Sequence, residues 1–196
     1  MSTIEKIKQL REETAAGMMD VKRALDETDG DLEDARRVLR ERGQAVAAKK
    51  SSRETNEGLV EAYVHFNGRI GVLVEVDCET DFVARTAEFK EFAHNVALQV
   101  ASSNPMPVAV APEDIPKEAF EEELQIAEKQ AGEMNKPENV TRQIVEGRMK
   151  KWVSERALLT QSYVKEPDRT VGDLLQDTIQ RVGENIVVRR FIRYEL

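Results

Sequence analysis

The dipeptide Asn67-Gly68 lies between two β-prone runs, Leu59 to Phe66 and Arg69 to Asp77, and no other stretch constrains the fold as strongly. Asn-Gly is favoured in two-residue hairpin turns because both residues tolerate the backbone angles such turns require. Runs joined this closely pair as antiparallel neighbours. Alternation places Val60, Ala62, Val64 and Phe66 on one face of the first strand, and Ile70, Val72, Val74 and Val76 on one face of the second. Glu61, Glu75 and Asp77 fall opposite, so one side of the hairpin requires helices packed on it.

Helices are available on both sides of the hairpin. After it, Phe89, Phe92, Ala93, Val96, Ala97 and Val100 form an i, i+3, i+4 stripe behind a cap at Thr86, and Asn104-Pro105 ends that helix. Further helical patterns run from about Lys117 to Gly132, from Pro137 to about Ala157, and from Thr170 to near Gly183. The final segment, ENIVVRRFIRYEL, is rich in β-branched residues and is expected to join the hairpin sheet as a strand. Before the hairpin, residues 4 to 42 carry three short helical patterns. Ala16-Gly17 and Thr28-Asp29-Gly30-Asp31 separate them, Asp31 caps the third, and Gly43 sits at the expected C-cap. The alanine-rich, then polar, run from Gln44 to Glu57 serves as connector. The fold class is α+β: a three-helix module with its connector over residues 1 to 52, then an antiparallel sheet covered by helices over residues 53 to 196.

Charge narrows the function. A net charge of −8 and a pI near 5.1 repel nucleic acid and anionic membranes, which makes a protein the expected partner. The basic cluster Lys49, Lys50 and Arg53 is too small to reverse this. Arg189, Arg190 and Arg193 either guard an edge strand or meet acidic groups. The start, MSTIEKIKQLREE, is amphipathic, and no apolar run approaches the ~20 residues of a membrane helix, so a cytosolic chain is expected. Cys78 is the single cysteine and reads as a small buried hydrophobe, which leaves no disulfide framework or multi-cysteine zinc site. His65 and His94 lack a spaced ligand cluster, and neither a Gly-rich phosphate loop nor a paired nucleophile and base is visible. No cofactor, metal or bond chemistry is expected.

Three stretches together resemble the elongation factor Ts family. The first is LREETAAGMMDVKRAL, Leu10 to Leu25, similar to the opening of that family's ubiquitin-associated-like domain. The second and more specific is EVDCETDFVAR, Glu75 to Arg85, and the third is GENIVVRRF, Gly183 to Phe191. They lie in the family's order and span nearly the whole chain. Two departures stand out: Ala15 replaces a usual glycine, which bears on the geometry of the first loop, and Asp77 replaces a usual asparagine.

The resemblance implies a guanine nucleotide exchange factor that binds elongation factor Tu in its GDP-bound and nucleotide-free states. It also implies a short form with one core unit, expected to pair as a homodimer. Thr80, Asp81, Phe82 and Val83 match the segment that disturbs the magnesium site of elongation factor Tu, with Phe82 as the wedge. Without the resemblance, Phe82 reads as ordinary core and Asp81 as a cap or turn residue. A second surface, Leu10, Arg11, Met18, Met19 and Lys22, is implied by the gripping role of the first module, although methionines at helical spacing also suit a core. The rival function is a non-catalytic adaptor or chaperone-like binding protein that uses the three-helix module for peptide or ubiquitin-like recognition. That reading leaves the Thr80 to Val83 turn without a role.

Overall fold

The computed structural model describes every residue except Ala15 and divides into two compact units. Unit 1 comprises Met1–Glu61, Glu75–Ala93 and Asp173–Val188; unit 2 comprises Ala62–Val74, His94–Gly172 and Arg189–Leu196. The expectation about Ala15 lies outside the described residues.

Unit 1 opens with α1 (Thr3–Thr14), α2 (Met18–Glu27) and α3 (Leu32–Lys50). Leu10, Val21, Ala24, Leu25, Ala35 and Leu39 close into one buried cluster, as their helical spacing predicts. Asp29 and Gly30 take positive φ to turn the chain, and the Asp31 side chain then accepts from the Asp34 N–H at 2.8 Å, so Asp31 is the expected N-cap. Gly43 is not a C-cap. It lies buried inside α3, and a Cβ there would come within 3.2 Å of the Gln180 side chain. The alanines that follow favour helix and carry α3 on to Lys50. This longer helix reaches α8 (Val171–Val182), where Arg40 forks onto the largely buried carboxylate of Asp173 at 2.7 Å.

The three-stranded sheet has the order β1-β2-β5, from β1 (Glu57–Val64), β2 (Ile70–Cys78) and β5 (Ile186–Glu195). The hairpin exists, but its loop is longer than the two residues expected. His65 N–H donates to Ile70 O and Gly68 N–H to His65 O, each at 2.8 Å, leaving Phe66 to Arg69 in the loop. Gly68 alone takes positive φ there, while the Asn67 side chain accepts from the Arg69 N–H. Loop length sets register, and register decides which face is buried. On β2 the expected face is buried, with Val72, Val74 and Val76 at 2% exposure or less. On β1 the expectation is reversed: Leu59, Glu61 and Tyr63 turn inward, and Val60, Ala62, Val64 and Phe66 are exposed. The strand thereby half-buries Tyr63, whose ring meets His94 edge-on at 5.9 Å and whose hydroxyl bonds His65 at 3.0 Å. In unit 1, β1 approaches β2 so closely at Gly58 that a Cβ would lie 2.3 Å from Val76 O, so only glycine fits.

In unit 2, Leu196 N–H donates to Arg69 O at 3.0 Å, which sets β5 antiparallel beside β2. Arg193 meets an acidic group, Glu195, at 2.5 Å. It turns inward and donates to Val100 O and Ser103 O, at the C-terminal end of α5 (Ala87–Ser102), where unpaired carbonyls favour a cation. The predicted α6 (Lys117–Gly132) and α7 (Glu138–Arg156) form a helical pair with Phe120 edge-on to Trp152. A small hairpin of β3 (Ser162–Tyr163) and β4 (Glu166–Thr170) gave no sequence signal, being short and mostly polar. Gln99 holds it by donating to Ser162 O and accepting from Val164 N–H.

Candidate partner-binding site

The TDFV stretch leaves the end of β2 within unit 1 and forms a single helical turn, α4 (Asp81–Ala84). A lone turn is unfavourable, since it orders several dihedrals for one hydrogen bond. Side chains from outside hold it. Thr80 is the N-cap, extended at φ −131 and ψ 153, and its hydroxyl accepts from the Val83 N–H at 3.4 Å. The same hydroxyl donates to Glu184 Oε1 at 2.7 Å, and the Thr80 N–H donates to Glu184 Oε2 at 3.0 Å. The Cys78 thiol donates to Thr80 O. Downstream, Thr86 Oγ1 donates to Val83 O and accepts from Phe89 N–H, which confirms Thr86 as the cap of α5.

This bonding divides the motif into two halves. Thr80 and Val83 point into the protein, with Val83 and Ala84 each 9% exposed. Phe82 points outward at 78% exposure and is not core. Asp81 is half-exposed and pairs with Arg85 one turn later at 2.7 Å. An aromatic ring displayed on a turn whose backbone is already ordered can enter a partner's pocket at low entropic cost.

Around the turn lies a polar frame to which sequence reading assigned no role. Glu79 accepts from the Asn185 N–H at 2.6 Å and meets Arg53 at 3.3 Å, while the buried Asn185 side chain donates to Arg53 O at 2.9 Å. The Asn185 N–H chiefly, with Arg53 adding to it against an opposing effect of burial, holds the Glu79 carboxyl below its ordinary value of 4.5. Burial, reinforced by the charge of Glu184, pushes the Cys78 thiol up to about 11, so it stays protonated at neutral pH and acts as a donor within the core. The Asp81–Arg85 pair was legible as i, i+4 spacing. The Thr80–Glu184 contact, 104 residues apart, carried no sequence signal.

The second predicted surface is only partly a surface. Leu10 is fully buried in the cluster of the first three helices and is corrected to a core residue. Arg11 on α1 and Lys22 on α2 are exposed, and Met18 and Met19, at 57% and 66%, are exposed rather than core. Exposed methionines give an adaptable apolar contact. Among the described residues, no helix is long and apolar enough to cross a membrane, and no cluster of three or more His, Cys, Asp or Glu could hold a metal ion.

The turn and the methionine pair thus place Met18, Met19 and Phe82 in solvent within unit 1. The family described as Elongation factor TS matches residues 3–196. The elongation factor Ts of Rubrobacter xylanophilus is 72% identical over 193 residues, covering 98% of each chain. Those of Desulfosudis oleivorans and Thermoanaerobacter sp. (strain X514) are each 53% identical, covering 97% and 100% of this chain and 95% of each relative. The chain belongs to the elongation factor Ts family, whose place is in the elongation stage of protein biosynthesis.

The depressed Glu79 carboxyl has a defined pH signature. Its contribution to stability is complete above the ordinary carboxylate value and is lost as pH falls through its lower folded value. Thermal melting of wild type and Glu79→Gln from pH 7 to pH 3 is expected to show a gap that holds down to about pH 4.5 and closes below it. A gap independent of pH contradicts the assignment.

Proposed function

We propose that the chain is a guanine nucleotide exchange factor that binds elongation factor Tu·GDP and promotes release of GDP and its exchange for GTP. The observation that carries this reading is Phe82, 78% exposed on a turn capped by Thr80. A partner that binds the empty GTPase more tightly than the GDP-bound form must weaken GDP binding by the same factor, so exchange follows from linkage without an acid, base or nucleophile. Magnesium links the nucleotide phosphates to the GTPase, and displacing the elements that hold it removes a large electrostatic hold. In this reading Phe82 is the wedge, Asp81 and Thr80 support it, and Val83 anchors it. Residues 1 to 52 act as a gripping module through Arg11, Met18, Met19 and Lys22, and residues 53 to 196 act as the core. The setting is the cytoplasm.

Burying a phenylalanine ring is worth roughly 1.5 to 3 kcal/mol. Stopped-flow release of fluorescent GDP from elongation factor Tu is therefore expected to slow about 10- to 100-fold for Phe82→Ala, with the melting temperature preserved. An alanine variant as fast as wild type removes Phe82 from the role. A wild-type chain that binds without accelerating release supports an adaptor instead.

The chain also acts as a homodimer in this proposal, through the open face of the sheet in unit 2. The His65–Ile70 closing bond and strand alternation put Ala62, Val64 and Leu73 on the side away from the Tyr63–His94 contact. Arg193 points to α5, so Ile192 and Tyr194 join that open side. Val64 and Tyr194 are each 68% exposed, and Leu73 and Ile192 more than 40%. A contiguous apolar face of this kind suits a self-complementary two-fold interface. Light scattering is expected to give about twice the 22.2 kDa chain mass for wild type, and the single mass for Val64→Lys/Ile192→Lys. A strictly monomeric wild type at working concentrations rules the dimer out.

A further inference from the structure

Of the side chains around the TDFV turn, Glu184 does what no neighbour can replace. It sits between Gly183, which takes a left-handed φ of +79, and the buried Asn185, so the backbone delivers its carboxylate to Thr80 from the far end of the chain. Both oxygens are used on one residue: Oε2 accepts the Thr80 N–H at 3.0 Å and Oε1 the Thr80 O–H at 2.7 Å. The first bond holds the backbone of the cap, and the second decides where the hydroxyl proton points. With that proton directed to Glu184, the oxygen lone pairs are left for the Val83 N–H, and capping of α4 depends on this. Charge-assisted bonds of this type are roughly twice as strong as neutral ones. A glutamine in the same place has one acceptor and would turn an N–H₂ group toward a donor. The helix that depends on this bond is four residues long and cannot hold itself.

We infer that Glu184 is the positioning residue of the exchange turn: through its two bonds to Thr80 it keeps α4 formed and Phe82 in one orientation, without touching the partner itself. This rests on the exchange reading proposed above. Its reason is preorganisation. A turn that frays must be ordered during the encounter, and the cost appears in the step in which Phe82 inserts. Loss of Glu184 therefore affects the rate of GDP release within the complex more than formation of the complex, to which the exposed residues of the first module contribute independently.

Two readouts on E184Q separate the positioning claim from the exchange reading. The first is amide hydrogen exchange by NMR, which needs no partner. The Val83 amide is expected to exchange at least tenfold faster than in wild type while the buried Val96 amide is unchanged. Unchanged protection at Val83 overturns the positioning role. The second is GDP release from elongation factor Tu over a range of factor concentrations. The maximal rate is expected to fall about tenfold and the half-saturating concentration to move less than about threefold. T80V, which keeps the N–H and loses the hydroxyl, is expected to behave alike, and T80V/E184Q to be little worse than the more affected single variant, because both changes break one unit. A wild-type maximal rate in E184Q, or effects of the two changes that multiply, overturns the claim. If E184Q does not fold, E184D, which keeps the charge on a shorter arm, provides the same test: faster exchange of the Val83 amide than in wild type is expected, and unchanged protection there overturns the claim. If wild type itself does not accelerate release, the exchange reading fails while the Val83 protection data still decide the positioning role.

Discussion

The Thr80 hydroxyl donates to Glu184 and accepts from Val83, and through this one group the far end of the chain holds the turn that carries Phe82. Neither bond alone would suffice. Without the cap, a four-residue helix has no reason to persist, and without the carboxylate the hydroxyl has no fixed direction. Cys78 below and Thr86 above extend the same arrangement, the thiol holding Thr80 O and Thr86 holding Val83 O. The Thr80 N–H, hydroxyl and carbonyl and the Val83 N–H and carbonyl are thus each bonded within the protein, and the Phe82 ring is left facing water. The exposure of Phe82 on a backbone held from both sides is the geometry on which the proposed partner contact rests.

The frame around the turn extends within unit 1 to the first three helices. Arg53 follows α3 closely in sequence, and it meets Glu79 while its carbonyl takes the Asn185 side chain. Arg40 on the same helix forks onto Asp173 of α8, and α8 leads through Gly183 to Glu184 and Asn185. The pairs differ in exposure. Asp173 and Glu79 are mostly shielded and are held by fixed donors, whereas pairs such as Lys8–Glu12 are open to water and contribute little. Unit 1 thus carries both the exposed methionines of α2 and the ring of Phe82, within one bonded frame of helices and strand ends.

Much of this was legible in the residues, and the misses share one cause. Helix positions came through because their signals are local: the stripe from Phe89 to Val100, the Asp31 and Thr86 caps, and the Gly17 and Gly183 breaks all lie where the pattern puts them. Errors arose where a residue answers to something distant. Gly43 read as a helix end because glycine usually is one, but here it admits the Gln180 side chain. The inward face of β1 was chosen by the apolar pattern, but the loop from Phe66 to Arg69 shifted the register and turned Tyr63 inward instead. Leu10 was read as surface within a motif, and packing claimed it. At the site, the resemblance pointed to Asp81 and Phe82, and spacing alone could have shown the pair with Arg85. Glu184 was visible only as part of a matching stretch, since nothing in a sequence says that a carboxylate 104 residues away closes on a threonine.

The central claim is that the turn is built before the partner arrives and enters it unchanged. A crystal structure of the chain bound to nucleotide-free elongation factor Tu tests this most directly. The account predicts the Phe82 ring buried in the partner, with the Thr80 to Ala84 backbone and the Glu184–Thr80 bonds as they stand in the free protein. A complex in which Phe82 remains in solvent, or in which α4 is unwound and Thr80 has left Glu184, contradicts it.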